Sequence, residues 1–178
     1  MTTTAVPKRL TWAVGLLEPA PTDRLLEIGC GRGVAVSLLL DRLTTGTVTA
    51  VDRSATAVAA ARRRHHEAVA DGRAVFHLLS LADADFPAGS FDRILAVNVN
   101  LFWTGPADAE PTALRRWLTP HGLLCLCWEA PGGRRAEEIA ERVGRAVGEH
   151  GFETTVVRDG VLVAVLGVLP GEGRAGQP

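Results

Sequence analysis

From residue 24 onward, short apolar runs alternate with stretches whose apolar positions recur every three or four residues. The first pattern is that of a buried strand and the second that of an amphipathic helix, so their alternation predicts a parallel α/β sheet. Strands are expected at about residues 24–28, 47–51, 73–79, 91–97 and 122–128, and helices at about 33–43, 54–70, 110–118 and 134–150. A helix over about residues 8–18 precedes them and is stopped by Pro19 and Pro21. An irregular crossing, Ser80 to Gly89, replaces a full helix. Two last strand-like runs, about 152–158 and 161–168, flank Asp159-Gly160, a signal for a tight hairpin. A purely parallel sheet would not end that way.

One junction in this pattern carries chemistry. Leu25-Leu26-Glu27-Ile28 runs into Gly29-Cys30-Gly31-Arg32-Gly33, a strand followed by a glycine turn that opens a helix. A second carboxylate, Asp52, closes the next apolar run. Doubly wound folds hold nucleosides in this way: glycines admit the ligand close to the backbone, and an acid at the end of the second strand accepts from a ribose diol. The spacing is G-x-G-x-G with Val34 after it, whereas a dinucleotide pyrophosphate needs G-x-G-x-x-G. A nicotinamide-dependent oxidoreductase is therefore a weak reading of this turn.

The 178 residues suit one domain, with residues 1–7 expected to be flexible, 8–169 to form the domain and 170–178 to be disordered. A net charge of −1 argues against a nucleic-acid surface made of bulk charge. No apolar run is long enough for a membrane span, and residues 1–7 lack a signal core, so a cytoplasmic protein is expected. The three cysteines, Cys30, Cys125 and Cys127, are expected to be free thiols, the last two sharing one face of a strand as small buried hydrophobes. His65-His66, after Arg62-Arg63-Arg64, reads as a solvated helix end. No histidine has a carboxylate at metal-ligand spacing, so no metal is expected.

Glu27 with the G-x-G-x-G turn resembles motif I of the class I S-adenosylmethionine (SAM)-dependent methyltransferases, and Asp52 lies at the distance that family uses. Two further segments are similar to the same family: Pro87-Ala88-Gly89-Ser90-Phe91-Asp92 ahead of a strand, and Leu118-Thr119-Pro120-His121-Gly122-Leu123 ahead of the next. The likeness is greatest to small stand-alone methyltransferase-domain proteins of actinobacteria. It implies a Rossmann-like doubly wound sheet of seven strands, order 3-2-1-4-5-7-6, last strand antiparallel, helices on both faces. It also implies SAM as cofactor and S-adenosylhomocysteine as product. By position, Glu27 would hold the methionine ammonium, Gly29, Gly31 and Gly33 would give backbone access, and Cys30 and Arg32 would line the turn. Asp52 would take the ribose, with Arg53 beside the adenine. Where many relatives have G-D-A, this chain has Leu79-Ser80-Leu81, so Ser80 and the Leu81 N–H are the adenine candidates, with Asp83 as substitute if the segment shifts.

Methyl transfer relies on alignment and water exclusion. The acceptor wall is expected at the carboxyl ends of the fourth and fifth strands, from Asn98, Asn100, Trp103, Trp128 and Glu129, with Asn98 also beside the cofactor. Asn98-Val99-Asn100-Leu101-Phe102-Trp103 is not the N-P-P-Y of base-methylating DNA enzymes. Trp103 is placed to stack on a substrate or sit near the sulfonium, Glu129 to act as a base, and Trp12 to close over the cofactor or simply to pack. Little sequence is available for a lid. A small acceptor, a second subunit (a homodimer included) or a large substrate would each cover the site. A non-catalytic module, bound to a larger methyltransferase, is the remaining alternative.

Overall fold

The computed structural model describes residues 5–100, 102, 109–130 and 133–170. Trp103, Leu101 and most of the two terminal segments expected to be flexible lie outside the described residues. The strands are β1 (Arg24–Ile28), β2 (Thr47–Asp52), β3 (Ala74–Leu78), β4 (Phe91–Val97), β5 (Leu118–Glu129), β6 (Glu153–Asp159) and β7 (Leu162–Val168). The helices are α1 (Lys8–Leu17), α2 (Val34–Leu40), α3 (Ala55–Arg64), α4 (His66–Ala70), α5 (Ala109–Trp117) and α6 (Gly133–Glu149). A short 3₁₀ turn, Leu81–Asp83, lies in the expected irregular crossing.

The sheet order is β3-β2-β1-β4-β5-β7-β6. β1 to β5 are parallel, and β7 runs antiparallel to both β5 and β6. Because side chains alternate across a strand, each central strand feeds two cores. Leu26, Ile94, Leu124 and Leu126 face the layer with Trp117, Ile139 and Val143. Leu25, Leu95, Cys125 and Cys127 face the layer with Ala13, Val14, Val36 and Val58. Glu27 shares its face with Leu25, and this parity places a carboxylate on the side covered by α1 and α2.

Several boundaries differ from expectation, and α2 stops at Leu40 rather than near 43. The 54–70 helix is broken, because His65 leaves helical geometry at φ −111°, ψ 31°. His65 is buried rather than solvated, while His66 is exposed. β5 starts four residues early: Leu118 pairs with Phe91, the register slips, and pairing resumes at Leu123 with Arg93. The last hairpin turns over Gly160-Val161, since Asp159 still pairs with Leu162.

A close approach fixes the turn before β2. A Cβ at Gly46 would lie 2.3 Å from the Asp23 carbonyl oxygen, which no rotamer can relieve. Gly46→Ala is expected to destabilise the protein by about 1–3 kcal/mol, as overpacking against backbone does. Urea unfolding checks this: a midpoint unchanged from wild type would contradict the packing.

Candidate functional site

The site lies at the carboxyl ends of the parallel strands, where the chain order reverses between β1 and β4. Two cavities occupy it. The larger, about 510 Å³, is lined by Asp52 and Arg53 after β2, by Leu79, Ser80 and Leu81 after β3, and by Asn98, Val99 and Asn100 after β4. The smaller, about 210 Å³, is lined by Glu27, Cys30, Gly31, Arg32 and, from α1, Arg9 and Leu10. Gly29, Val97 and Asn98 border both, so the two form one cleft. The larger falls within the size range of small-molecule pockets.

Each cavity holds one carboxylate, and their surroundings differ. Glu27 is fully buried, and its Oε2 has no hydrogen-bond partner among the described residues. Burial first, and the Asp52 charge second, push its carboxyl up to about 8, so the group is largely neutral at pH 7. Asp52 instead is engaged at both oxygens. Its Oδ2 accepts the Gly31 N–H at 2.8 Å and its Oδ1 the Ser54 N–H at 2.8 Å. Ser54 then caps α3 by accepting from the Ala57 N–H. The cap of the helix after β2 is thus Ser54, not Asp52.

The glycine turn is stitched to β2, with Gly29 and Cys30 both donating N–H bonds to the Val51 carbonyl. Gly31 stands at φ +53° with open space where a Cβ would be. Gly33 borders neither cavity and backs onto His65. The Cys30 thiol lines the smaller cavity, and burial pushes it up to about 12, so it remains a thiol.

Asn98, just after β4, borders both cavities. It adopts φ +57°, a left-handed conformation that asparagine tolerates better than most residues. Its N–H donates to the Cys127 carbonyl at 2.8 Å, and its Oδ1 accepts the Glu129 N–H at 2.9 Å. Glu129 borders neither cavity, and its carboxylate pairs with Arg9 at 2.9 Å. Trp128 is buried, with its Nε1 donating to the Val99 carbonyl. It supports the loop rather than forming a wall. Trp12 packs on the core and borders neither cavity; α1 reaches the site through Arg9 and Leu10 instead. Ser80 donates its hydroxyl to Asp83 Oδ2 at 2.6 Å, so Asp83 acts on the site through Ser80.

Arg9, Leu10 and Val99 border the cleft without a local signal in sequence, because they are brought there by packing across the sheet. His65 gave no local signal either: its buried ring lies behind the third glycine of the turn, where a Cβ would come within 3.0 Å of its Nε2.

The profile of the methyltransferase domain family matches residues 25–122, more than half of the chain. The chain belongs to the class I SAM-dependent methyltransferase family. This methyltransferase-domain chain is 34% identical over 164 residues to the nocamycin O-methyltransferase of Saccharothrix syringae, covering 87% of this chain and 56% of that one. It is 29% identical over 129 residues to the trans-aconitate 2-methyltransferase of Delftia acidovorans, covering 72% and 44%. It therefore spans about half the length of these curated relatives. Its fold is that of a SAM-dependent methyltransferase from Aquifex aeolicus, with a TM-score of 0.74 at 17% identity, over 89% of this chain and 88% of that one. No helix among the described residues is long and apolar enough to cross a membrane.

Proposed function

We propose that this methyltransferase domain binds SAM along the joined cavities and passes its methyl group to a small-molecule acceptor. The observation that carries this reading is a cleft with one carboxylate in each half, joined at Gly29, Val97 and Asn98. The residues fit the cofactor. The unpartnered Glu27 oxygen in the smaller cavity suits an ammonium, and the open side of Gly31 leaves room for the methionine tail. Asp52, at the head of the larger cavity, suits the ribose hydroxyls. The Ser80 hydroxyl hydrogen is committed to Asp83, which leaves its oxygen free to accept from the adenine amino group, and Leu81 lines the same end of the cavity. When bound, SAM supplies an electrophilic methyl on a sulfonium.

This chain's residues then have to orient the acceptor and exclude water. Asn98 and Asn100 border the larger cavity on the acceptor side. Glu129 borders neither cavity and its carboxylate is paired with Arg9, which favours an acceptor that ionises readily, such as a carboxylic acid or an acidic hydroxyl. The named activities of the two curated relatives, O-methylation of nocamycin and methylation of trans-aconitate, support a small-molecule acceptor. The test is transfer of label from methyl-labelled SAM to a panel of small carboxylic acids and phenols. Label in an ester or ether product is expected; label appearing only with added RNA or protein would overturn the small-acceptor reading.

Gly31→Ala separates the cleft from the fold. Its methyl meets nothing within 4 Å, so the stability loss should be limited to about 1–2 kcal/mol for a left-handed alanine. S-adenosylhomocysteine affinity should fall at least about tenfold, since the methyl occupies ligand space. Paired melting and calorimetric titrations check both; full affinity would move the methionine tail elsewhere.

A further inference from the structure

His65 lines neither cavity, yet it is tied to the loop that forms both. It sits where α3 stops and α4 begins, buried, with its ring stacked on Phe76 of β3 at 5.7 Å and 18°. Its Nε2 lies 2.8 Å from the Gly33 carbonyl oxygen. A carbonyl oxygen only accepts, so Nε2 carries the hydrogen and donates. The same oxygen takes weaker bonds from the Ser37 N–H at 3.3 Å and the Ser37 hydroxyl at 3.4 Å. Gly33 has φ +75°, and a Cβ there would come within 3.0 Å of the His65 Nε2 and 3.2 Å of the Ala61 Cβ.

The glycine turn is therefore gripped from two sides. In front, the Val51 carbonyl and the Asp52 carboxylate accept the N–H groups of Gly29, Cys30 and Gly31. Behind, His65 holds the Gly33 carbonyl, and the Gly33 N–H donates to the Cys30 carbonyl at 2.9 Å. The front contacts come from the end of β2, next to β1 in the sheet. The rear contact needs a donor of imidazole reach at the break between α3 and α4, with a ring beneath it to hold its plane.

We propose that His65 is a positioning residue for the cofactor loop, acting through the Gly33 carbonyl to hold Gly29–Gly33 in the shape that receives the methionine end of SAM. The proposal rests on the cofactor reading above. A structural role alone would need the bulk of the ring; a positioning role needs a donor at the Nε2 distance. His65→Gln keeps an N–H near that point, His65→Asn falls one bond short, and His65→Leu keeps bulk without a donor. None of the three retains the ring on Phe76, so differences among them report the donor.

The probe is S-adenosylhomocysteine, titrated calorimetrically into wild type and the three variants, with a thermal melt of each. Affinity is expected to fall about tenfold for His65→Leu and His65→Asn, the loss of one buried hydrogen bond, and to stay within about threefold for His65→Gln. Melting temperatures should fall in all three variants, because each loses the ring on Phe76. Equal affinities for His65→Gln and His65→Asn, wild-type affinity in His65→Leu, or loss of fold in all three would overturn the proposal. If His65→Leu alone fails to fold, the Gln and Asn pair decides. Wild type that does not bind the ligand overturns the cofactor reading itself, whereas wild-type binding with indifferent variants overturns only the role of His65.

Discussion

The ligand-free protein should lose stability as the pH rises from about 4.5 to about 8, the reverse of what most carboxylates cause. The Glu27 carboxyl is raised from an ordinary 4.5 to about 8, first by burial and then by the Asp52 charge. Between those values the folded chain retains a proton that the unfolded chain has released. The folded state then binds more protons, so stability falls with rising pH. The contribution is full below the unfolded value and gone once the pH has passed the folded one. A shift of this size is worth on the order of a few kcal/mol, and at about 2–4 °C per kcal/mol a domain of this length should melt some degrees lower at pH 8 than at pH 5. Glu27→Gln should flatten that dependence. SAM should restore the loss in wild type, because its ammonium gives the ionised carboxylate a partner. Affinity should therefore rise with pH up to about 8, with proton release on binding. A melting profile in Glu27→Gln that keeps the wild-type slope between pH 5 and 8 would contradict the assignment.

Replacing Asp52 should have the larger effect on binding. Its two oxygens already hold the Gly31 and Ser54 N–H groups, so the side chain shapes the turn and faces the larger cavity at once. Asp52→Ala removes a charge-assisted acceptor, worth about 1.5–3 kcal/mol for each bond lost. S-adenosylhomocysteine affinity should fall by at least about tenfold, and about a hundredfold if ribose and turn contacts are lost together. Asp52→Asn keeps one acceptor and should lie between. Both variants also remove the charge that helps to raise Glu27, so the pH-dependent melting should move to lower pH. Unchanged affinity in Asp52→Ala would remove the ribose assignment.

Local pattern carried much of this fold. Parity along Leu25-Leu26-Glu27-Ile28 places the carboxylate on one face, and the Gly29, Gly31 and Gly33 spacing marks the turn beyond it. The terminal hairpin followed from Asp159-Gly160, although the chain reverses one residue later because Asp159 completes its pairing with Leu162. What local pattern cannot carry is packing between distant segments. His65 follows three arginines and has the composition of a solvated helix end, yet the helix breaks so that its ring stacks on Phe76 and donates to Gly33. Arg9 enters the cleft because α1 crosses β4 and β5, a placement set by Ala13, Val14 and Leu17 in the core beneath it. Its pairing with Glu129 spans 120 positions and leaves no trace in either segment. Trp12 and Trp128 are placed by the same packing, on the core and under the loop after β4 rather than around the cleft.

The most direct measurement is calorimetric titration of the protein with SAM and S-adenosylhomocysteine, with NAD as control. The account predicts saturable one-site binding of both adenosyl ligands and none of NAD. Failure to bind either adenosyl ligand, or binding of NAD in their place, would contradict it.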